Sequence, residues 1–146
     1  WLAAQLRHPA EVRLLVSSIQ CLPSDAGQET WSNLPLERQR LLQLIQQTQS
    51  QHMVILSGDR HWSELSAVEG ITPGPLYELT SSSLNQIHER GTPTENLYRR
   101  QPKTFHEPNY GPIRVDWSCQ PPKLALQIRD QMGEVKIEQS VPADPQ

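Results

Sequence analysis

The sequence predicts an α/β fold, a βαβ unit followed by antiparallel strands. Three observations predict it. Apolar runs within residues 12–19 and 53–56 flank an amphipathic helical pattern, a further strand-like run covers 76–81, and three alternating segments close the chain. The 146 residues have the length of one ordinary domain. The pattern divides them into a βαβ half (1–75) and a mostly β half (76–146).

Residues 1–8 read as a helix tail, because Trp1, Leu2 and Leu6 share a face, and Pro9 ends it. Residues 12–19 read as a buried strand: Val12-Arg13-Leu14-Leu15-Val16 is rich in strand formers, and polar groups enter at Ser17-Ser18-Ile19-Gln20. Pro23, Ser24, Asp25 and Gly27 mark a loop. The clearest helix follows, with Asn33 as its cap, Pro35 in its first turn and Glu37 near its N-terminus. Leu34, Leu41, Leu42 and Ile45 line one face; Arg38, Gln39, Gln43 and Gln46 line the other. The glutamine-rich residues 46–51 read as its solvated last turns. Met53-Val54-Ile55-Leu56 is a second buried strand, stopped by Ser57-Gly58. A βαβ unit makes these two strands parallel, with a right-handed crossover.

The next strand, 76–81, runs into Ser82-Ser83-Leu84-Asn85. Residues 87–108 are polar, rich in Pro and Arg, and read as a long irregular connection. Ile113, Val115 and Trp117, then Leu124, Leu126 and Ile128, then Val135 and Ile137 give an antiparallel meander with one apolar face. Pro121-Pro122 and Met132-Gly133 supply its turns, and 141–146 reads as a tail or the start of a linker.

Composition narrows the function classes. Hydrophobic residues are only 36%, charged residues 20%, and the net charge is −3. No basic excess points to nucleic acid or an anionic membrane surface. No apolar run has the length of a membrane-spanning helix, and the start lacks a signal-peptide pattern. The chain opens with Trp1, which reads as a processed product or a fragment. Cys21 and Cys119 match no zinc or redox spacing. Two unrelated thiols are the simplest reading, and a disulfide stays open.

The sharpest local feature is Ser57-Gly58-Asp59-Arg60-His61-Trp62-Ser63-Glu64. Gly58 is expected to turn the chain tightly as it leaves the strand. Asp59 and His61, two residues apart on extended backbone, can point to one side and share a metal. Glu64 is a candidate acceptor fixing the tautomer of His61, and the planar fork of Arg60 matches phosphate oxygens. Parallel strands deliver their carboxyl ends to one edge, so Ser18 and Gln20 should emerge beside Asp59 and His61. Glu29 and Trp31 follow in the loop, at the rim of that edge or as helix-entry charge and staple. Asn85, following the 76–81 strand, is expected within reach of the same edge, and His106 is the remaining histidine worth testing. Taken alone, Asp-x-His also has a plain reading as a turn residue and a surface ring.

A longer pattern adds to the motif. Leu15-Val16-Ser17-Ser18-Ile19-Gln20, Glu29-Thr30-Trp31-Ser32-Asn33, Pro35-Leu36-Glu37-Arg38, Leu56-Ser57-Gly58-Asp59-Arg60-His61, Glu64-Leu65 and Tyr77-Glu78-Leu79-Thr80-Ser81-Ser82 stand in order, followed by Asn109-Tyr110-Gly111 and Asp116-Trp117. Over nearly its whole length the chain resembles the alkaline phosphatase D (PhoD-like) family of metallophosphoesterases. The resemblance implies the C-terminal half of an αββα sandwich and hydrolysis of phosphate mono- and diesters at a multi-metal centre. In that superfamily the last metal motif reads Gly-His-x-His at a strand end. Gly58-Asp59-Arg60-His61 fits the slot with Asp for the first His, a replacement the PhoD-like branch shares. The resemblance thus implies Asp59 and His61 as metal ligands, Arg60 or Glu64 as catalytic or supporting groups, and iron and calcium as metals, with other divalent ions open.

The earlier superfamily motifs Asp-x-His, Gly-Asp-x-x-Asp and Gly-Asn-His-Asp/Glu are absent from the 146 residues. The expected partners are therefore a phosphate-ester substrate and the N-terminal half of the fold, which would supply the bridging Asp. The chain alone is expected to be inactive. The family is often exported, but the sequence itself assigns no compartment. The rival expectation is a non-catalytic interaction or regulatory half-domain with an incomplete metal site.

Overall fold

The apolar runs at 53–57 and 76–81 become the two central strands of a four-stranded sheet in the computed structural model, which describes residues 1–25, 28–88 and 95–141. Gly27, part of the 87–108 connection and the 142–146 tail lie outside the described residues. A short helix α1 (Leu2–Leu6) leads into β1 (Arg13–Val16). A 3-10 turn (Trp31–Asn33) precedes α2 (Pro35–Thr48), then come β2 (Met53–Ser57), β3 (Ser63–Val68) and β4 (Leu76–Ser81). The chain finishes with β5 (Asn109–Tyr110), β6 (Ile113–Asp116), β7 (Lys123–Asp130) and β8 (Val135–Val141).

The first sheet has the order β1-β2-β4-β3, with β1 and β2 parallel as the βαβ pattern requires. β4 runs parallel to β2, and β3 is antiparallel to β4. In the second sheet β7 is the hub, pairing antiparallel with β5, β6 and β8. Asn109 opposite Asp130 and Ile113 opposite Leu126 are in one continuous register, so β5 and β6 form one edge interrupted at Gly111-Pro112.

Strand alternation sorts side chains onto two faces of the first sheet. Val54, Leu65, Ala67, Tyr77 and Leu79 pack against Leu124, Leu126, Ile128, Ile137 and Val141 of the second sheet. On the opposite face, Met53, Ile55 and Leu76 pack with Leu41 and Ile45 of α2, Leu6 of α1, Cys21 and Leu22. The result is helix, sheet, sheet.

Several expectations are corrected. The first strand is shorter than 12–19 and only half covered: Leu14 and Val16 are exposed. They lie opposite Val54 and Leu56, on the face that the second sheet covers further along. Asn33 does not cap α2; Leu34 occupies the cap position without a side-chain bond, and the Asn33 amide donates to the Gln28 carbonyl. Thr30 caps the preceding 3-10 turn instead, accepting from Ser32 N at 3.0 Å. Leu34 is exposed, as are Trp117, which falls past the end of β6, and Val135. Strand β3 was not anticipated, because Ser63, Glu64 and Ser66 are poor strand formers. The 87–108 connection is not wholly irregular either. Its residues 98–105 run along the outer edge of β3, with Ser63 N donating to Phe105 O at 2.7 Å and Ala67 N to Tyr98 O at 2.8 Å. That pairing covers an edge that would otherwise expose unpaired backbone groups.

The two sheets approach each other closely at Gly111. A Cβ there would lie 2.9 Å from Ser81 Cβ and 3.4 Å from Leu79 Cδ2. Gly111→Ala is therefore expected to cost about 1–3 kcal/mol by overpacking, read as a lower urea midpoint at unchanged slope. An unchanged midpoint would contradict this approach of the sheets.

Candidate functional site

The connection from β2 to β3 is built by topology. Ser57 ends β2 beside Thr80, and Ser63 starts β3 beside Ser81, on the other flank of β4. Residues 58–62 must therefore cross the end of β4, about two strand spacings or ~9.5 Å, and reverse direction. The crossing rests on β4: Ser82 Oγ donates to the Trp62 carbonyl at 3.0 Å. The backbone is not extended here, as the motif suggested. Asp59 and His61 both adopt left-handed conformations, with φ of 70° and 56°. Asp and His tolerate that region better than most residues, yet each such residue costs about 1–3 kcal/mol. Gly58 is not among the positive-φ residues, and a Cβ there would meet only ordinary contacts. The tight turn belongs to Asp59 and His61.

Side chains alternate along this crossing. Asp59 is exposed and His61 half-buried, whereas Arg60 is only 4% exposed and Trp62 fully buried. The Arg60 guanidinium lies over the Trp62 ring, 4.3 Å from its centroid. The Trp62 ring meets His88 edge-on at 5.9 Å and His106 at 6.2 Å between centroids. His106 Nδ1 bonds to the His88 carbonyl, and its Nε2 lies 2.6 Å from Thr104 Oγ1. Burial lowers the Arg60 pKa below its ordinary value, opposed by the carboxylates of Glu64, Asp59, Asp25 and Glu29.

Under the helix face of the sheet lies a buried polar network. Gln20 Nε2 donates to Glu64 Oε1 at 2.6 Å and to Thr80 Oγ1 at 2.9 Å, and Ser57 Oγ lies 2.9 Å from Thr80 Oγ1. Glu64 Oε2 accepts from Arg99 Nε at 2.6 Å and from Asn96 Nδ2 at 3.3 Å. The fully buried Glu64 carboxylate thus meets a guanidinium and two amides, the pairing a buried charge requires. These partners come from the 95–106 connection and the β1 loop; His61 is not among them. One strand over, Glu78 accepts from the Leu22 amide at 2.6 Å and the Cys21 amide at 2.9 Å. Burial pushes its pKa above the ordinary glutamate value despite those bonds. Burial, reinforced by Glu78, also pushes the Cys21 thiol up to about 12, so it is no thiolate nucleophile at neutral pH. Cys21 and Cys119 are both free thiols.

The anticipated residues therefore separate. Gln20 and Glu64 meet in the buried network, and Arg60 underlies the pair Asp59 and His61. Glu29 is exposed, with only its carbonyl approaching Arg60 Nη1, at 3.5 Å. Trp31 Nε1 donates to Ser17 Oγ at 3.1 Å, while Ser18 and Asn85 are exposed. Sequence reasoning missed Trp62, Glu78, Asn96 and Arg99. Glutamates at inward positions of apolar strands were the available signal, because a buried acid demands a partner.

Asp59 and His61 offer a carboxylate and an imidazole, donors suited to a divalent or trivalent transition metal or, through the carboxylate, to calcium. Two donors do not complete a coordination shell. No cluster of three or more His, Cys, Asp or Glu able to hold a metal forms among the described residues.

The fold has a counterpart among solved structures. A structure of PhoD superposes on the chain with a TM-score of 0.67 at 16% sequence identity, covering 100% of this chain and 35% of PhoD. The chain has the fold of part of PhoD. No family model matches the sequence, and no curated protein does. At this identity the likeness establishes architecture: two sheets, parallel and antiparallel strands and helices on one side, with the chain spanning about a third of the length of PhoD. No helix among the described residues is long and apolar enough to cross a membrane.

The buried glutamate makes stability depend on pH. A raised pKa means that folded Glu78 keeps its proton where the unfolded chain has released it, so stability falls as pH rises. The loss begins near the ordinary value of 4.5 and is complete above the folded pKa. Glu78→Gln is expected to flatten this decline in urea titrations taken at successive pH values. A variant with the wild-type pH slope would refute the assignment.

Proposed function

We propose that this chain carries part of the active site of a metal-dependent phosphoric ester hydrolase acting on mono- and diesters. The observation that carries the reading is the pair Asp59 and His61, held two residues apart at the carboxyl edge of a sheet with PhoD architecture. In the proposal both residues are metal ligands. Arg60 and Glu64 support them: Arg60 from beneath the turn, Glu64 by tying the start of β3 to Gln20 and Arg99. Ser18, Glu29, Trp31 and Asn85 belong to the surrounding rim, as substrate or outer contacts. The remaining metal donors come from outside these 146 residues, in keeping with a chain that spans 35% of PhoD.

The metals, iron and calcium by the family resemblance, would neutralise the phosphate charge, lower the pKa of bound water and align attacking and leaving oxygens. The protein's own part is to fix two donors on one edge. A strained turn does this well, since the conformations of Asp59 and His61 are set by the fold before any ligand arrives. The polar residues Gln20, Thr80 and Ser57 beneath the edge are hydrogen-bonded to one another and, through Gln20, to Glu64, which helps to hold the strand ends in register.

The test is made on the full-length protein. Asp59→Ala and His61→Ala should each lower the bound metal measured by elemental analysis. Each should reduce aryl phosphate turnover by more than the roughly 10–100-fold typical of outer metal partners. Unchanged metal content and rate in both variants would sink the assignment.

A further inference from the structure

We propose that Arg60 is a positioning residue, whose stacking on Trp62 clamps the 59–61 turn and thereby presents Asp59 and His61 as a pair. The inference rests on the reading of those two residues as metal ligands, and it assigns Arg60 a role that needs no contact with substrate.

Four observations carry it. Asp59 and His61 both adopt left-handed backbone, so the turn is a conformation that an unconstrained chain would leave. Arg60 is the residue between them and the deeply buried one of the three. Its guanidinium is 4.3 Å from the Trp62 centroid, whereas its contact to the Glu29 carbonyl is long, at 3.5 Å, and its Nε finds no hydrogen-bond partner among the described residues. The aromatic face is thus its main anchor. That anchor is itself fixed: Trp62 is fully buried, wedged against the His88 and His106 rings, and its carbonyl accepts from Ser82.

The geometry also explains why a cation occupies a buried position without a salt bridge among the described residues. Glu64, Asp59, Asp25 and Glu29 surround it at longer range and favour its charge. A guanidinium suits such a site because it is flat, weakly hydrated and stacks on indole. Removing either stacking partner leaves the turn free to relax, and the two donors then no longer share a fixed separation.

The test compares manganese affinity, by calorimetry on the full-length protein after metal removal, at a temperature where circular dichroism shows every variant folded. Arg60→Met keeps the buried stem and loses the cation; Trp62→Leu keeps an apolar filler and loses the ring. Both should weaken manganese binding roughly thirtyfold, the equivalent of a desolvated cation–π contact. Trp62→Phe keeps an aromatic face and should stay within about threefold of wild type. Wild-type affinity in Arg60→Met overturns the clamp, as does a Trp62→Phe loss equal to that of Trp62→Leu. Asp59→Ala and His61→Ala separate the two ideas. If they abolish binding while Arg60→Met does not, only the clamp fails; if they too leave binding unchanged, the metal reading fails with it.

Discussion

The structure depends on a single crossing: five residues that carry the chain from β2 to β3 over the end of β4. Because β4 lies between strands that run in opposite directions, the connection must both span and reverse. Nothing in that span can be regular structure. Its conformational cost falls on Asp59 and His61, and the compensation comes from Trp62, which buries its whole surface where the crossing ends. A buried Trp contributes on the order of several kcal/mol, enough to offset two left-handed residues. The strain and its compensation are adjacent in sequence, so the motif is a folding unit in its own right.

The polar network beneath the edge serves the same end. Glu64 follows the crossing directly and is held by Gln20 from the β1 loop and by Arg99 and Asn96 from the late connection. Three distant stretches of chain thus meet on one carboxylate. Removing Arg99 leaves the buried Glu64 charge without its cation, a cost of about 3–5 kcal/mol. Replacing the whole network with apolar groups would cost far less, which marks its value as geometric specificity: it fixes where the strand ends lie.

Much of this was legible in the sequence. Periodicity and apolar runs identify β2, β4, α2 and the closing meander, and the βαβ order implies the parallel pair β1 and β2. What periodicity could not show is β3, whose inward positions carry Ser63, Glu64 and Ser66. A strand with polar residues on both faces has no amphipathic signature, because its partners come from residues 96–105 and 109. The exposure of Leu14 and Val16 was equally hidden, since composition reads both as core. For the site, the residue types of Asp59 and His61 were readable but not their backbone. The left-handed turn follows from β4 inserting between β2 and β3, which is a property of topology and not of local sequence. Arg60 shows the same limit: its sequence suggests a solvated charge or a phosphate contact, and only the packing of Trp62 against residues 88 and 106 reveals its burial.

In the proposed reading the crossing holds Asp59 and His61 as a preformed donor pair for a metal ion. Anomalous diffraction from manganese-soaked crystals of the full-length protein tests it most directly. The account predicts an anomalous peak within about 2.0–2.6 Å of both an Asp59 carboxylate oxygen and a His61 ring nitrogen, with φ positive at both residues. A manganese peak bound elsewhere, with Asp59 and His61 turned apart, would contradict it.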